Sequence, residues 1–432
     1  MRVALVNPAW SFDGSIYFGC REPHLPLEFG YARALLEQDG HEVIVLDGQL
    51  DALTLDAIRD THRDFAPDMT VVTTAPSYLF WRCAPPELRI PRETLDALRS
   101  DAKATVVIGP HASSTPAATL RKLNADVVVL GESEETLREL ASTPRAEWHR
   151  LNHIAYDDHD RAAINGTIRQ ADMSRLPALH WPTDSVQRHA HHHHRFDAAP
   201  KGPGAEMETS RGCPYHCSFC AKENFRNKYR KRPLPAILEE LDALVAQGIE
   251  YVYFIDEIFL PNRELLEALV SRPVIFGVQT RIDLWNASML DLLGDAGCVS
   301  IEAGVESISE EGRAILDKES RLSTDEITER LIYARGKVPF VQANLIDAKV
   351  DEAEAVERWR AHLTSFGVWA NKPVPLFPYP GSPDYGKLWG VPDDDAWERA
   401  HEYYLQHHVE FSDIQDSRPQ PLSELERAAH AR

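Results

Sequence analysis

Three things are scarce in this chain, and each scarcity excludes something. Cysteine comes first, with six in 432 residues. Three of these (Cys20, Cys83 and Cys298) are scattered and the other three fall in one tight run, so the disulfide framework of a small secreted protein is excluded. Long apolar runs are missing too, and none approaches the length of a membrane span. The opening Met1-Arg2-Val3-Ala4-Leu5-Val6 reads as a strand and not as a signal peptide. A cytoplasmic protein with no membrane partner is expected. Positive charge is the third shortage: 46 Lys and Arg against 67 Asp and Glu give a net charge of -21. Nucleic acid is therefore an unsuitable substrate, because phosphate binding needs basic patches. A cationic ligand would instead be favoured by long-range attraction.

What is present is a folded, multidomain composition, with 43% hydrophobic and 26% charged residues and length for two or three domains. Residues 1–145 alternate strand-like and helix-like segments, the pattern of a doubly wound parallel sheet. Its strands are Val3-Ala4-Leu5-Val6, Val43-Ile44-Val45-Leu46, Val71-Val72-Thr73-Thr74, Val106-Val107-Ile108 and Val127-Val128-Val129-Leu130. Two strand ends carry ligand-loop wording, Gly109-Pro110-His111-Ala112-Ser113 and Gly131-Glu132-Ser133-Glu134. Residues 146–204 have little periodicity and read as a connector. Their histidine-rich run, His189-Ala190-His191-His192-His193-His194, is expected to pack against a neighbouring domain, with metal binding as the alternative. Residues 205–385 repeat strand and helix, and 386–432 read as a helical region anchored by Trp389, Trp397, Tyr403 and Tyr404.

The most informative stretch is Arg211-Gly212-Cys213-Pro214-Tyr215-His216-Cys217-Ser218-Phe219-Cys220. Its C-x3-C-x2-C spacing supplies three thiolates, whereas a [4Fe-4S] cluster normally takes four, so one iron is left for another ligand. A zinc knuckle is the other reading, with His216 as its fourth ligand. The motif resembles that of the radical S-adenosylmethionine (SAM) superfamily, which implies a [4Fe-4S] cluster on Cys213, Cys217 and Cys220 with SAM on the open iron. The resemblance also implies a partial (β/α)6 TIM-like barrel. Its strands would be the lead into the cysteines, Tyr251–Ile255, Val274–Arg281, Cys298–Ser307, Phe340–Ile346 and Trp369–Pro375. Polar residues at the carboxyl ends of such strands face the site. Asp256 and Glu257 would meet the SAM ammonium, Arg281 its carboxylate, Glu306 the cofactor's flank, and Gln342 or Asn344 its ribose. The Gly-x-Pro-Gly-Glu turn common in relatives is absent after the fifth strand, while Phe377-Pro378-Tyr379-Pro380-Gly381 matches the aromatic Pro-Gly turn after the sixth.

Ahead of the barrel, Gly-Pro-His followed by Gly-Glu-x-Glu resembles the Rossmann-like cobalamin-binding domain fused to many radical SAM enzymes. D-x-H-x-x-G is absent; Asp60-Thr61-His62-Arg63-Asp64-Phe65 lacks its glycine. The resemblance implies the fold and leaves bound cobalamin open, the alternative being a domain that only covers the site. Cys20-Arg21-Glu22-Pro23-His24 and Cys220-Ala221-Lys222-Glu223-Asn224-Phe225-Arg226 resemble the radical SAM diol dehydratases of apramycin-type aminoglycoside pathways. That likeness implies hydrogen abstraction from a cationic aminosugar of the paromamine type, dehydration of a vicinal diol, a flavodoxin- or ferredoxin-like electron donor and a downstream reductase. Lys222, Glu223, Tyr215 and His216 would then carry protons, and Glu22 and His24 would bind substrate. The alternatives are a cobalamin-dependent radical SAM methyltransferase and a cobalamin or Fe–S sensor with no catalysis.

Overall fold

The structure is a computed structural model, described over residues 1–16, 22–159, 161–189, 203–407 and 420–428. The first sheet is built from β1 (Arg2–Asn7), β2 (Glu42–Asp47), β3 (Met69–Thr73), β4 (Thr105–Ile108), β5 (Val127–Val129), β6 (Ile154–Asp157) and β7 (Ala162–Asn165), in the order β2-β1-β3-β4-β5-β6-β7. The first five are parallel, as befits runs such as Val3-Ala4-Leu5-Val6 that are buried throughout and need helices on both faces. In such open sheets ligands lie beyond the strands' carboxyl ends, near the point where strand order reverses. Here that point lies between β1 and β3. β6 and β7 pair antiparallel and extend the same sheet, so the first domain continues past residue 145 into the segment read as a connector. The four-residue Ala162–Asn165 run at the sheet edge, with no alternation of buried and exposed positions, offers too little periodicity to be legible as a strand.

The second unit is a six-stranded parallel sheet in the order β8-β11-β12-β13-β14-β15, comprising β8 (Gly204–Met207), β11 (Tyr251–Phe254), β12 (Ile275–Thr280), β13 (Cys298–Glu306), β14 (Phe340–Leu345) and β15 (Trp369–Ala370). A two-stranded ladder of β9 (Ser210–Arg211) and β10 (Arg230–Lys231) closes the segment that contains the cysteines. This is the partial barrel, and the fold class expected from the sequence is the one found. Val3 and Leu5 share one continuous apolar core with Trp81, Phe225, Val252 and Phe276, so the two units are packed together.

The C-terminal helices fasten this arrangement. Trp397, on the helix Ala396–His407, stacks on His111 at 4.0 Å between ring centroids. Arg121 and Lys122 pair with Asp394 and Glu398. At the helix Pro383–Trp389, Asp384 takes a hydrogen bond from Ser218 Oγ at 3.0 Å, and its backbone N–H donates to the Ser218 carbonyl. Among the described residues no helix is long and apolar enough to cross a membrane.

Candidate active site

The cysteine loop leaves the ladder at Gly212, whose φ of +78° is in the left-handed region. A Cβ there would lie 2.1 Å from the Lys228 carbonyl oxygen, so glycine alone permits this close return. Behind the loop lies a largely buried ion network. Glu208 accepts from Arg211 Nε and Nη2 at 3.0 and 2.9 Å and from Arg226 Nη2 at 2.7 Å. Arg226 Nη1 reaches Glu257 Oε1 at 2.6 Å, and Glu257 Oε2 accepts the Gly212 N–H at 2.7 Å. From the first domain, Glu134 meets Arg211 at 2.7 Å and Glu132 meets Arg230 at 2.5 Å. Burial alone would raise the Glu208 carboxyl; the guanidinium groups of Arg211 and Arg226 overcome this and hold it at about 2. A buried charge survives only when paired and hydrogen-bonded. The Gly-Glu-x-Glu stretch thus serves as an interdomain anchor.

Each candidate from the sequence has a definite place. Cys213, Cys217 and Cys220 are partly buried on one loop. Burial raises all three thiols, and it takes Cys217 to about 12. The positive charges of Arg82 and Lys222 act in the opposite direction on Cys213 and Cys220, and those of Lys318 and Arg281 on Cys217.

Arg281 pairs with Asp283 at 3.1 and 2.8 Å and lies 4.0 Å above the Tyr215 ring. Its Nη1 is buried with no hydrogen-bond partner among the described residues. An unmatched guanidinium N–H beside the cysteine loop is the feature that fits a carboxylate of SAM. Asp256 lies just past the carboxyl end of β11. Its carboxylate accepts from the Thr209 N–H and hydroxyl and from the Ser210 hydroxyl at 2.5–2.7 Å, and burial pushes it up to about 7. It latches the strand that leads into the cysteines, and Glu257 is committed to Arg226 and Gly212. Glu306, at φ +69°, accepts from Lys318 Nζ at 2.7 Å. Gln342 donates to Asn344 at 2.6 Å, so both lie on one face of β14.

The proposed proton carriers separate. Lys222 is buried, with its ammonium on the carbonyls of Cys213 and Asn227, where it holds the loop closed. His216 and Glu223 face each other at 3.5 Å with side chains 61% and 50% exposed. Tyr215 lies under Arg281. His24 is buried, with Nδ1 at 2.8 Å from the Glu22 carbonyl and Nε2 at 3.8 Å from Glu206. His189 completes that cluster at 2.8 Å from Glu206. His24, the Glu22 carbonyl, Glu206 and His189 therefore form one buried polar joint. His189 packs against the barrel as expected. Cys20, Arg21 and the rest of the histidine-rich run, Ala190 to His194, lie outside the described residues.

In the first domain, Thr74 Oγ1, Ser77 Oγ and Ser133 Oγ are buried at or just beyond the carboxyl ends of β3 and β5 with no partner among the described residues. At Gly109, φ +123°, a Cβ would come within 2.3 Å of Thr74 Oγ1, so glycine lets the backbone after β4 pack closely against that hydroxyl. These hydroxyls fit the polar rim of a corrinoid. Neither nearby histidine is placed to reach a cobalt ion there. His111 is stacked on Trp397, with Nε2 3.3 Å from the Pro86 carbonyl, and His62 is bonded to Thr70 at 2.8 Å.

Sequence reasoning missed Arg82, Glu208, Arg226 and Lys318. The only signal was an excess of buried-type acid and base around the cysteines, and no spacing rule marks which of these meet.

A strand-end site of this kind, with a three-cysteine loop facing a Rossmann-like sheet, defines a two-domain radical enzyme fold. The comparisons agree. Residues 207–356 match the Radical SAM superfamily and residues 21–141 the B12 binding domain. The chain therefore carries a B12-binding domain ahead of a radical SAM domain, and the latter implies a [4Fe-4S] cluster and SAM. An uncharacterised methyltransferase of Pyrococcus horikoshii is 25% identical over 327 residues, covering 72% of this chain and 66% of its own. The anaerobic magnesium-protoporphyrin IX monomethyl ester cyclase of Cereibacter sphaeroides is 25% identical over 411 residues, covering 87% and 63%. The chain thus spans just under two thirds of the length of these curated relatives. The solved structure of the radical SAM methyltransferase TsrM from Kitasatospora setae, with cobalamin and a [4Fe-4S] cluster bound, shares the fold. Its TM-score is 0.66 at 20% identity, over 89% of this chain and 76% of that one. The diol dehydratase reading, with its aminoglycoside substrate, is overturned by these relatives: two are named methyltransferases and one a cyclase. The short acid–base run that suggested it is divided in the fold between a buried loop clasp and an exposed pair.

Proposed function

We propose that this protein is a radical SAM methyltransferase that uses a corrinoid held by its first domain to methylate a carbon atom of a small substrate. The observation that carries the reading is the trio of unpartnered hydroxyls at Thr74, Ser77 and Ser133, on a sheet that the Glu134–Arg211 pair ties to the cysteine loop. The methyltransferase names of two of the relatives support it.

Cys213, Cys217 and Cys220 would hold the cluster and Arg281 Nη1 the methionyl carboxylate, while Thr74, Ser77 and Ser133 would hold the edge of the corrinoid. When bound, the corrinoid supplies a methyl group to a carbon radical. The protein's own task is geometric. The ion network fixes the loop relative to both sheets, Lys222 clasps the loop's backbone, and Trp81 and Phe225, edge to face at 5.7 Å, exclude water from the seam. Such positioning is where a fold contributes most to radical chemistry. The electron comes from an external one-electron donor of the flavodoxin or ferredoxin type.

The test is anaerobic reconstitution with iron, sulfide and methylcobalamin, followed by desalting and cobalt analysis. About one cobalt per chain should remain, since a specific site saturates at unit stoichiometry, and reduction with SAM present should release 5'-deoxyadenosine. Full 5'-deoxyadenosine release from protein that retains no cobalt overturns methyl transfer from a corrinoid. Retained cobalt with no SAM cleavage points to a sensor and overturns the enzyme.

A further inference from the structure

A short 3-10 helix of six residues, Tyr78–Cys83, follows β3 and reaches from the first domain onto the mouth of the barrel. Trp81 is buried against Phe225, five residues beyond the last cysteine of the motif. The next residue, Arg82, crosses between domains. Its Nη1 donates to the Glu257 carbonyl at 3.2 Å and its Nη2 to Gln279 Oε1 at 3.0 Å. These two acceptors stand at the carboxyl ends of the neighbouring strands β11 and β12. Glu257 also receives the N–H of Gly212, the residue next to Cys213. Arg82 Nε is buried without a partner among the described residues. The first domain therefore delivers a guanidinium to the rim of the barrel, one hydrogen-bonded residue away from the cysteine loop.

We propose that Arg82 is a positioning residue through which the first domain sets the reduction potential of the cluster in the second. The potential of such a cluster responds to net charge and hydrogen bonding around it. In the step concerned, one electron passes from an external low-potential donor to the cluster. The donor is oxidised by one electron, the cluster becomes more negative by one charge, and no bond is made, no bond is broken and no proton moves. A fixed positive charge in a partly desolvated seam favours the more negative form. Docking of the two domains thereby makes the cluster easier to reduce. The inference needs the cluster of the radical SAM domain and stands apart from corrinoid binding and methyl transfer.

The test is a mediated redox titration of the reconstituted full-length protein, read by electron paramagnetic resonance and compared at equal iron content. Arg82→Gln should lower the reduced-to-oxidised ratio at fixed potential about tenfold, a shift of about 59 mV to more negative potential for one electron. Arg82→Lys, which keeps the charge, should stay within about twofold, or about 18 mV on the same scale. Gln279→Glu pairs the guanidinium with a carboxylate without altering the first domain. It should move the potential in the same direction as Arg82→Gln, and it serves as the readout if that variant does not fold. Unchanged potentials in the folded neutralising variants, or a shift in Arg82→Lys as large as in Arg82→Gln, overturn the proposal.

Discussion

Replacing Glu208 by Gln removes one negative charge from the network behind the cysteine loop and leaves side-chain size almost unchanged. In the folded protein Arg211 and Arg226 hold this carboxyl at about 2, against an ordinary value of 4.5. Each pH unit of that interval corresponds to about 1.36 kcal/mol, so the ionised carboxylate contributes about 3 kcal/mol at pH 7. The direction is that of a depressed acid. The contribution is fully present above pH 4.5 and is lost as pH falls toward about 2. Glu208→Gln should therefore be less stable than the wild type by about 3 kcal/mol at pH 7 and by about 1 kcal/mol near pH 3. Urea denaturation followed by tryptophan fluorescence, run as a pH series, measures both gaps. A gap below about 0.5 kcal/mol at pH 7, the size of an ordinary surface substitution, would refute the argument that these ion pairs hold the network. So would a gap that stays constant down to pH 3, because a pH-independent loss would come from packing and not from charge.

Two further outcomes follow from the site. Arg281→Lys loses the guanidinium fork and its unmatched Nη1, so SAM should bind about 10- to 100-fold more weakly, the size of one or two hydrogen bonds to a charged group; unchanged affinity in equilibrium binding to the reconstituted protein would remove Arg281 from the cofactor site. Glu223→Gln changes an exposed side chain and should alter stability by no more than about 0.5 kcal/mol and leave 5'-deoxyadenosine release close to wild type, whereas a collapse of release would return the His216–Glu223 pair to the chemistry.

The strands were legible because each is a short, nearly continuous apolar run, and such runs announce burial on both faces. The cysteine loop was legible because three thiols at fixed spacing have few other uses. The polar residues were harder to read. Asp256 and Glu257 stand at a strand end, as expected, yet their oxygens are turned toward Thr209, Ser210, Gly212 and Arg226. Lys222 and Glu223 are adjacent in sequence, but the ammonium of Lys222 points into the loop while the carboxylate of Glu223 faces solvent. His24 sits in a wording that suggested substrate contact, and the fold buries it beside Glu206, which His189 also meets.

By itself, then, the sequence determined two sheets, their order along the chain and a cluster-binding loop, because period, apolar runs and cysteine spacing are properties of neighbouring residues. The choice of partner for each charged group was made only in the tertiary structure. Glu132 and Glu134 meet Arg211 and Arg230 across roughly eighty to a hundred residues of chain, and Arg82 reaches Glu257 and Gln279 across still more. An ion pair is fixed by distance and desolvation, and both arise only once the two domains have closed on each other.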